Sequence, residues 1–134
     1  MQSSKRKTQN EEEIHMNENV VDNKSFQFAI RIVNLYKYLT TEKNEYVMSR
    51  QVLKSGTSIG ANIAEGERGQ SKADFYAKMS IALKEANETY YWLRLLCATE
   101  YLTEKEFNTL ETDLKEILAL LMAICKTTQE NQAL

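Results

Sequence analysis

The chain lacks proline entirely and contains only four glycines, two cysteines and one histidine in its 134 residues. Because proline breaks helix interiors, its absence leaves long helices possible throughout. The single histidine, His15, leaves no Ser-His-Asp or Cys-His pairing and no Glu-x-x-His metal motif elsewhere. Cys97 and Cys125 lack the spacing of a zinc knuckle or a redox pair and are interpreted as small buried hydrophobic residues. These absences favour a protein that is not an enzyme and holds no metal or cofactor.

Long apolar segments and a large excess of one charge are also absent. No apolar run approaches the roughly 20 residues that span a bilayer, and no apolar segment of a secretory signal follows the basic cluster near the amino terminus. The formal net charge of −2 argues against chain-wide attraction to nucleic acid. The glycines do not form a phosphate-binding loop, so no small-molecule substrate is evident. We expect a cytoplasmic protein that does not associate with membranes.

The two ends of the chain are polar and lack helical periodicity. Residues 1–22 change from a basic triplet, Lys5-Arg6-Lys7, to an acidic one, Glu11-Glu12-Glu13, which is the composition of a solvated tail. We predict a disordered tail over 1–22, a helical bundle over 23–128 and a flexible C-terminus over 129–134. The basic triplet is either a solubilising end or an arm that contacts RNA.

Four segments between these ends carry apolar residues at the three- and four-residue spacing of helices. The first begins at Ser25 and ends before Thr40, with a broad apolar face that includes Phe26, Phe28, Ile30 and Ile32. The second runs from Asn44 or Glu45 to Gly66, and capping boxes at Ser71-Asp74 and Thr103-Glu106 begin the third and fourth. The short connections predict an all-α fold, an antiparallel up-down-up-down four-helix bundle.

The second helix carries small and polar residues where a bundle helix normally has large apolar ones. Gly56, Gly60 and Ala64 recur every fourth residue and therefore form one row, which allows another chain segment to approach closely. Two interior glycines cost roughly 1 kcal/mol each relative to alanine, so tight packing must recover that loss. We interpret the following residues as an interface or structural motif: Arg50, Ser55, Gly56, Ser58, Ile59, Gly60, Asn62, Ala64, Glu65 and Gly66.

Two groups of polar residues have alternative interpretations. Arg50, Asn62 and Glu65 form either a structural set of ion pairs and hydrogen bonds or a contact for a ligand or partner. The basic residues of and before the third helix are possible nucleic-acid contacts: Arg68, Lys72, Lys78, Lys84 and Arg94. Arg94 follows three aromatic residues, Tyr90-Tyr91-Trp92, whose rings can stack on unpaired bases. The competing interpretation is a solvated mixed-charge face with aromatic rings at a contact between helices or subunits.

Taken together, these residues resemble the four-helix-bundle proteins encoded in intervening sequences of bacterial 23S ribosomal RNA genes. The resemblance covers residues 24–127, and its signature is most specific in the second helix. It consists of Arg50, Ser55, Ser58-Ile59, Asn62-Ile63-Ala64-Glu65-Gly66, Arg68, Ser71 and Phe75.

This resemblance implies a left-handed antiparallel bundle that forms a ring-like homo-oligomer, with a pentamer favoured, in a family without established enzymatic activity. Related proteins include the accessory variability determinant of diversity-generating retroelements, a basic pentamer that binds nucleic acid and a reverse transcriptase. Two functions are therefore considered for this less basic chain. One is a self-associating scaffold or adaptor with a protein partner, and the other is an RNA-binding ring.

Overall fold

Four helices in sequential order make up the computed structural model, which describes residues 2–133 and the side chains of Gln9 and residues 11–130. They are α1 (Gln2–Thr41), α2 (Met48–Glu67), α3 (Lys72–Ala98) and α4 (Glu104–Ala133). Each helix packs against the next, and α4 returns to pack against α1. The predicted all-α, up-down-up-down four-helix bundle is confirmed. No helix within residues 2–133 is long and apolar enough to cross a membrane.

The core is a single cluster to which every helix contributes one apolar stripe. Its largest fully buried side chains are Phe28, Ile32, Leu39, Ile59, Ile63, Met79, Leu93, Leu96, Leu114, Ile117, Leu121 and Ile124. The buried stripe of α1 is narrower than the sequence predicts, because Phe26 and Ile30 remain 63% and 44% exposed. Phe26 and Phe28 differ by two positions, which is about 200° around a helix, so only one of them can face the core.

Helix α2 approaches both of its neighbours through glycine. A Cβ atom on Gly56 would lie 2.9 Å from two side-chain carbons of Ile32 on α1, and one on Gly66 would lie 2.9 Å from Cε of Met79 on α3. A Cβ atom on Gly60 would lie 3.4 Å from Oγ of Ser25, which is an ordinary contact distance. Of the predicted row, Gly56 therefore makes a close approach, to α1 inside the chain, and the close approach to α3 is made by Gly66, which lies outside that row.

The starts of three helices are held by side chains. Ser71 Oγ accepts a hydrogen bond from the Asp74 N–H at 3.1 Å, as the predicted serine cap requires. Thr103 and Glu106 each accept the other's backbone N–H at 3.1 Å, which confirms the capping box at the start of α4. Helix α2 begins at Met48, later than predicted. The buried Glu45 carboxylate precedes the helix and accepts hydrogen bonds from the backbone N–H groups of residues 47–49. These acceptors satisfy backbone donors that have no partner within the helix.

Both chain ends continue the helices in the structure, unlike the sequence-based assignment of 1–22 and 129–134 to a tail and a flexible C-terminus. Helix α1 begins at Gln2 and α4 reaches Ala133; Met1, Leu134 and the side chains of Lys5-Arg6-Lys7 lie outside the described residues. The absence of proline and an abundance of Glu and Gln permit this continuation. Among the described side chains of α1, Val21 is the first apolar one that is fully buried.

A Gly56→Ala substitution is predicted to destabilise the bundle by about 1–3 kcal/mol, since the methyl group would overlap the fully buried Ile32. Gly60→Ala is the matched control: the space is available and alanine favours the helix, so the free energy of unfolding should stay level or rise by up to about 1 kcal/mol. Denaturant unfolding at one protein concentration compares the two variants. Equal stability of both would contradict the close-packing account.

A Glu67→Gln substitution is predicted to stabilise the protein at pH 7. Partial burial and the nearby Asp22 and Glu18 carboxylates raise the pKa of Glu67, so the folded state binds this proton more tightly than the unfolded state. Charged Glu67 therefore destabilises the folded state. This destabilisation is absent below about pH 4, grows as the pH rises from there through the raised pKa, and is complete above it. Thermal unfolding of both proteins from pH 3.5 to 8 tests this, and a stability difference that does not depend on pH would refute it.

Candidate interaction surfaces

Much of the motif on α2 lies inside the bundle. Ile59 is fully buried in the core, and Gly56 and Gly66 are buried against α1 and α3. Ser55 is also buried, and its hydroxyl is hydrogen-bonded at 2.9 Å to the hydroxyl of Thr89 on α3. Thr89 in turn lies 2.8 Å from the carbonyl oxygen of Glu85. This buried hydroxyl pair links α2 to α3, and these positions have a structural role.

The predicted grouping of Arg50, Asn62 and Glu65 does not form as one constellation. Arg50 and Glu65 are 15 residues apart on one straight helix, which separates them by about 22 Å along its axis. The Asn62 amide donates to the Ser58 carbonyl oxygen at 2.8 Å, and Ser58 Oγ bonds the Lys54 carbonyl one turn earlier. Asn62 thus bonds a backbone carbonyl, which is one form that the structural interpretation could take, and the carbonyl belongs to its own helix.

The basic residues proposed to contact nucleic acid do not share one face. Lys72, Lys78 and Lys84 follow each other at six-residue intervals, which turns each about 240° from the last. Lys78 Nζ lies 2.7 Å from the Glu65 carboxylate, and Lys72 Nζ lies 3.8 Å from that of Glu11. Intramolecular carboxylates therefore already partner two of the predicted phosphate contacts.

Arg68 and Lys84 are exposed, and no other described residue forms an ion pair with either of them. Arg94 lies 5.8 Å from the Tyr90 ring centroid, close to the other end of α3. These three cations are the part of the predicted set whose charge remains available, and they lie far apart along the bundle.

An aromatic groove of about 440 Å³ lies between α3 and α4. Tyr90, Tyr91 and Phe107 line it together with Arg94 and Glu111. The Tyr90 hydroxyl donates to Glu111 Oε2 at 2.7 Å, and this hydrogen bond, with burial, raises the pKa of Tyr90. Trp92 does not line this groove; its Nε1 is buried without a hydrogen-bond partner among the described atoms. The structure thus brings two of the three predicted aromatic residues together with Arg94.

Large apolar side chains lie exposed on the surface, and among them only Tyr91 was expected at a contact outside the core. They are Met16, Val20, Phe26 and Ile30 on α1, Tyr46 and Val47 in the connection to α2, Ile81 and Tyr91 on α3, and Met122 on α4. Assigning each position about 100° of rotation separates Phe26 and Ile30 from the buried stripe, so finer use of periodicity reveals them. Within the described part of the chain, no group of three or more His, Cys, Asp or Glu residues is placed to hold a metal ion.

Replacing Thr89 by Val is predicted to cost about 1–3 kcal/mol of folding free energy, because Ser55 would lose its buried partner. The double variant Ser55→Ala, Thr89→Val removes both hydroxyls and should cost less than the sum of the single variants. A double-mutant cycle of unfolding free energies measures this coupling. Additive costs would show that the two hydroxyls contribute independently.

Comparison with known proteins places this geometry in a family. The model of the 23S rRNA-intervening sequence protein family matches residues 17–123. A solved structure from Bacteroides thetaiotaomicron, described as a protein of unknown function from the S23 ribosomal protein family, is 58% identical with a TM-score of 0.81. That match covers 82% of this chain and 98% of the other. No curated protein matches the sequence, and neither the family description nor that of the solved structure indicates an enzyme. The chain therefore belongs to the 23S rRNA-intervening sequence protein family.

Proposed function

We propose that this protein is a non-enzymatic, cytoplasmic helical bundle that self-associates and serves as a scaffold or adaptor. The supporting observation is that large apolar side chains stay on the surface although the core is complete: Phe26 is 63% exposed, and Ile30, one turn further along the same face of α1, is 44% exposed. Contiguous exposed apolar surface is typical of protein interaction sites. The number of subunits, a pentamer arranged as a ring, rests on the family resemblance.

The mixed electrostatics of the surface support a protein partner over a nucleic acid. Two of the five candidate cations, Lys72 and Lys78, lie beside carboxylates, and Lys24 and Arg31 also pair with α4 at 2.6 Å. Phosphate binding gains affinity by releasing counterions from cations that are free to approach the backbone. A scaffold needs no such cations, since apolar area drives protein association.

The alternative function is RNA binding by an assembled ring, related to that of the accessory variability determinant. The observation in its favour is the groove that places Tyr90 and Tyr91 beside Arg94, the combination that unpaired bases use for stacking and phosphate contact. A ring would repeat this groove and the exposed Arg68 and Lys84 in every subunit. The family description supplies the link to 23S rRNA, and it does not state what the protein binds.

Light scattering of the purified full chain across a salt series, with the 260/280 nm absorbance ratio of each peak, tests these functions. We expect an oligomer whose mass does not change with salt and whose ratio is that of protein alone. An RNA-laden species stripped by salt would favour the alternative, because counterion release makes such binding strongly salt-dependent. A monomer at every concentration would refute self-association.

A further inference from the structure

The outward side of α1 combines exposed apolar side chains with carboxylates. Two rows of residues spaced four apart run along it, since every fourth residue of a helix lies on one side. One row is Glu12, Met16 and Val20, and the other is Glu18, Asp22, Phe26 and Ile30. The four apolar residues, here called the α1 face, are each between 44% and 67% exposed. Each row thus begins with a carboxylate and ends with two large apolar side chains.

The carboxylates around the α1 face have few partners within the molecule. From Gln9 to Asn23 the chain has five Asp or Glu residues and no Lys or Arg. Among the described side chains only one of the five forms an ion pair, Glu11, whose carboxylate lies 3.8 Å from Lys72 Nζ. The other four, together with one residue of α2, are here called the acidic rim: Glu12, Glu13, Glu18, Asp22 and Glu67. The α1 face is therefore bordered by negative charge that no described Lys or Arg side chain pairs with.

The antiparallel packing of α1 and α2 brings Glu67 into this rim. A Cβ atom on Gly60 would lie 3.4 Å from Ser25 Oγ, so these two positions are level with each other. Seven residues further along α2 is Glu67, and seven residues earlier on α1 is Glu18. Because the rise per residue is the same in both helices, these two carboxylates lie at the same height of the bundle.

The carboxylates of the acidic rim act on each other. Burial raises the pKa of Glu67, and the charges of Asp22 and Glu18 raise it further. Nearby Arg68 and His15 lower it, but by less than either carboxylate raises it. The rim therefore holds repulsion between like charges that an added cation would relieve.

A groove between α1 and α2 lies beside the α1 face. It has a volume of about 240 Å³, with Asp22 and Phe26 in its α1 wall and the small residues Gly60, Ala61 and Ala64 in its α2 wall. Gly60 is only half-buried and Ala61 is exposed. The small residues of α2 leave room for an apolar side chain from another molecule. With the Asp22 carboxylate in its wall, the groove offers apolar and anionic contacts together.

We propose that the α1 face, the acidic rim and this groove form a docking surface for a cationic amphipathic helix of a protein partner. The apolar side chains of that helix lie against Phe26 and Ile30 and enter the groove, while its Lys or Arg side chains reach the acidic rim. An amphipathic helix laid into an apolar groove is a recurring mode of peptide recognition. The inference rests on the proposed adaptor function and names the chemistry of the partner.

Charge complementarity selects this occupant. RNA and anionic lipid headgroups carry negative charge, which the acidic rim repels. A second copy docked face to face would place one acidic rim against another, with the same repulsion. An uncharged partner would gain the apolar contacts but leave the repulsion within the rim unchanged. Cationic side chains relieve that repulsion, so their contribution adds to that of the apolar contacts.

The probe for this surface is a fluorescent synthetic peptide of Leu and Lys, with Leu at the i, i+3 and i+4 positions of a helix. Its length of about 18 residues matches the roughly 27 Å from Glu12 to Ile30. Fluorescence anisotropy measures its Kd for the full chain at physiological salt, and the same peptide with Glu in place of Lys is the control. We expect the Lys peptide to bind at least about 10-fold more tightly than the Glu peptide.

The apolar contribution is tested at Phe26. Phe26→Ser should raise the Kd of the Lys peptide about 10-fold, as expected for loss of an aromatic anchor. Met122→Ser is the matched control, because Met122 is similarly exposed, at 56%, but lies on α4. This control should bind the peptide as wild type does, and circular dichroism confirms that both variants fold.

The charge contribution is tested by neutralising two residues of the acidic rim. The double variant Glu18→Gln, Asp22→Asn should raise the Kd of the Lys peptide about 5-fold, as the loss of two exposed ion pairs would. The double variant Glu42→Gln, Glu88→Gln removes the same charge from exposed positions elsewhere and should leave the Kd unchanged. Thermal unfolding should show no loss of stability on neutralising the rim, because that change relieves repulsion in the folded state.

Failure of this inference is distinguishable from failure of the proposed self-association. Equal affinity for the Lys and Glu peptides, equal weakening in a control variant, or no binding of the Lys peptide to wild type would each overturn the docking surface. Light scattering of the same samples reports self-association separately. An oligomer that does not bind the Lys peptide overturns only the docking surface, whereas a monomer that binds it refutes self-association and supports the docking surface.

Discussion

The close approach of α2 to its neighbours is the constraint on which the rest of the bundle depends. Gly56 lets Ile32 of α1 pack directly against the α2 backbone, and Gly66 admits Met79 of α3 in the same way. Any larger residue at Gly56 would displace a side chain that is already fully buried, and densely packed interiors absorb such changes poorly. The register of α1, α2 and α3 therefore follows from where the glycines stand. The Ser55–Thr89 hydroxyl pair lies in the same α2–α3 contact, where it satisfies polar groups that burial would otherwise leave unpaired.

Because α2 packs against α1 and α3 through these residues, they are not available to contact a partner. Many of the residues that distinguish the second helix, such as Ser55, Gly56 and Gly66, make contacts within the chain and so contribute to folding. Interaction must then use surfaces that the core leaves open. Two such surfaces stand out. One is the exposed apolar surface of α1 around Phe26, with the groove that Asp22 and Phe26 line beside α2, and the other is the aromatic groove between α3 and α4. They differ in chemistry, because only the second presents an arginine beside aromatic rings, and they can serve different partners.

The sequence predicted those features that depend on local rules. Helix periodicity, the capping boxes at Ser71 and Thr103 and the glycine contacts all follow from spacing within a few residues. The sequence did not predict features that depend on the position of a residue around a long helix or on which side chains a neighbouring helix supplies. Phe26 and Ile30 joined an apolar face that proved too broad, Arg50 was grouped with Glu65 although a straight helix separates them, and Lys78 was assigned to phosphate although α2 supplies a carboxylate 2.7 Å away. The start of α1 depends on helix continuation beyond the core, which composition alone does not determine.

The pairing of charges within the chain also bears on the choice between scaffold and RNA-binding ring. Lys24 and Arg31 join α1 to α4, and Lys78 joins α3 to α2, so these cations serve the contacts between helices. A polyanion that bound them would have to break those pairs and leave Glu116, Asp113 and Glu65 facing its phosphates, and that repulsion would offset much of the gain. Apolar association at α1 carries no such cost, because its exposed apolar side chains, such as Phe26 and Ile30, form no ion pair that would have to be broken. The proposed self-association through apolar surface is therefore compatible with the ion pairs that join the helices.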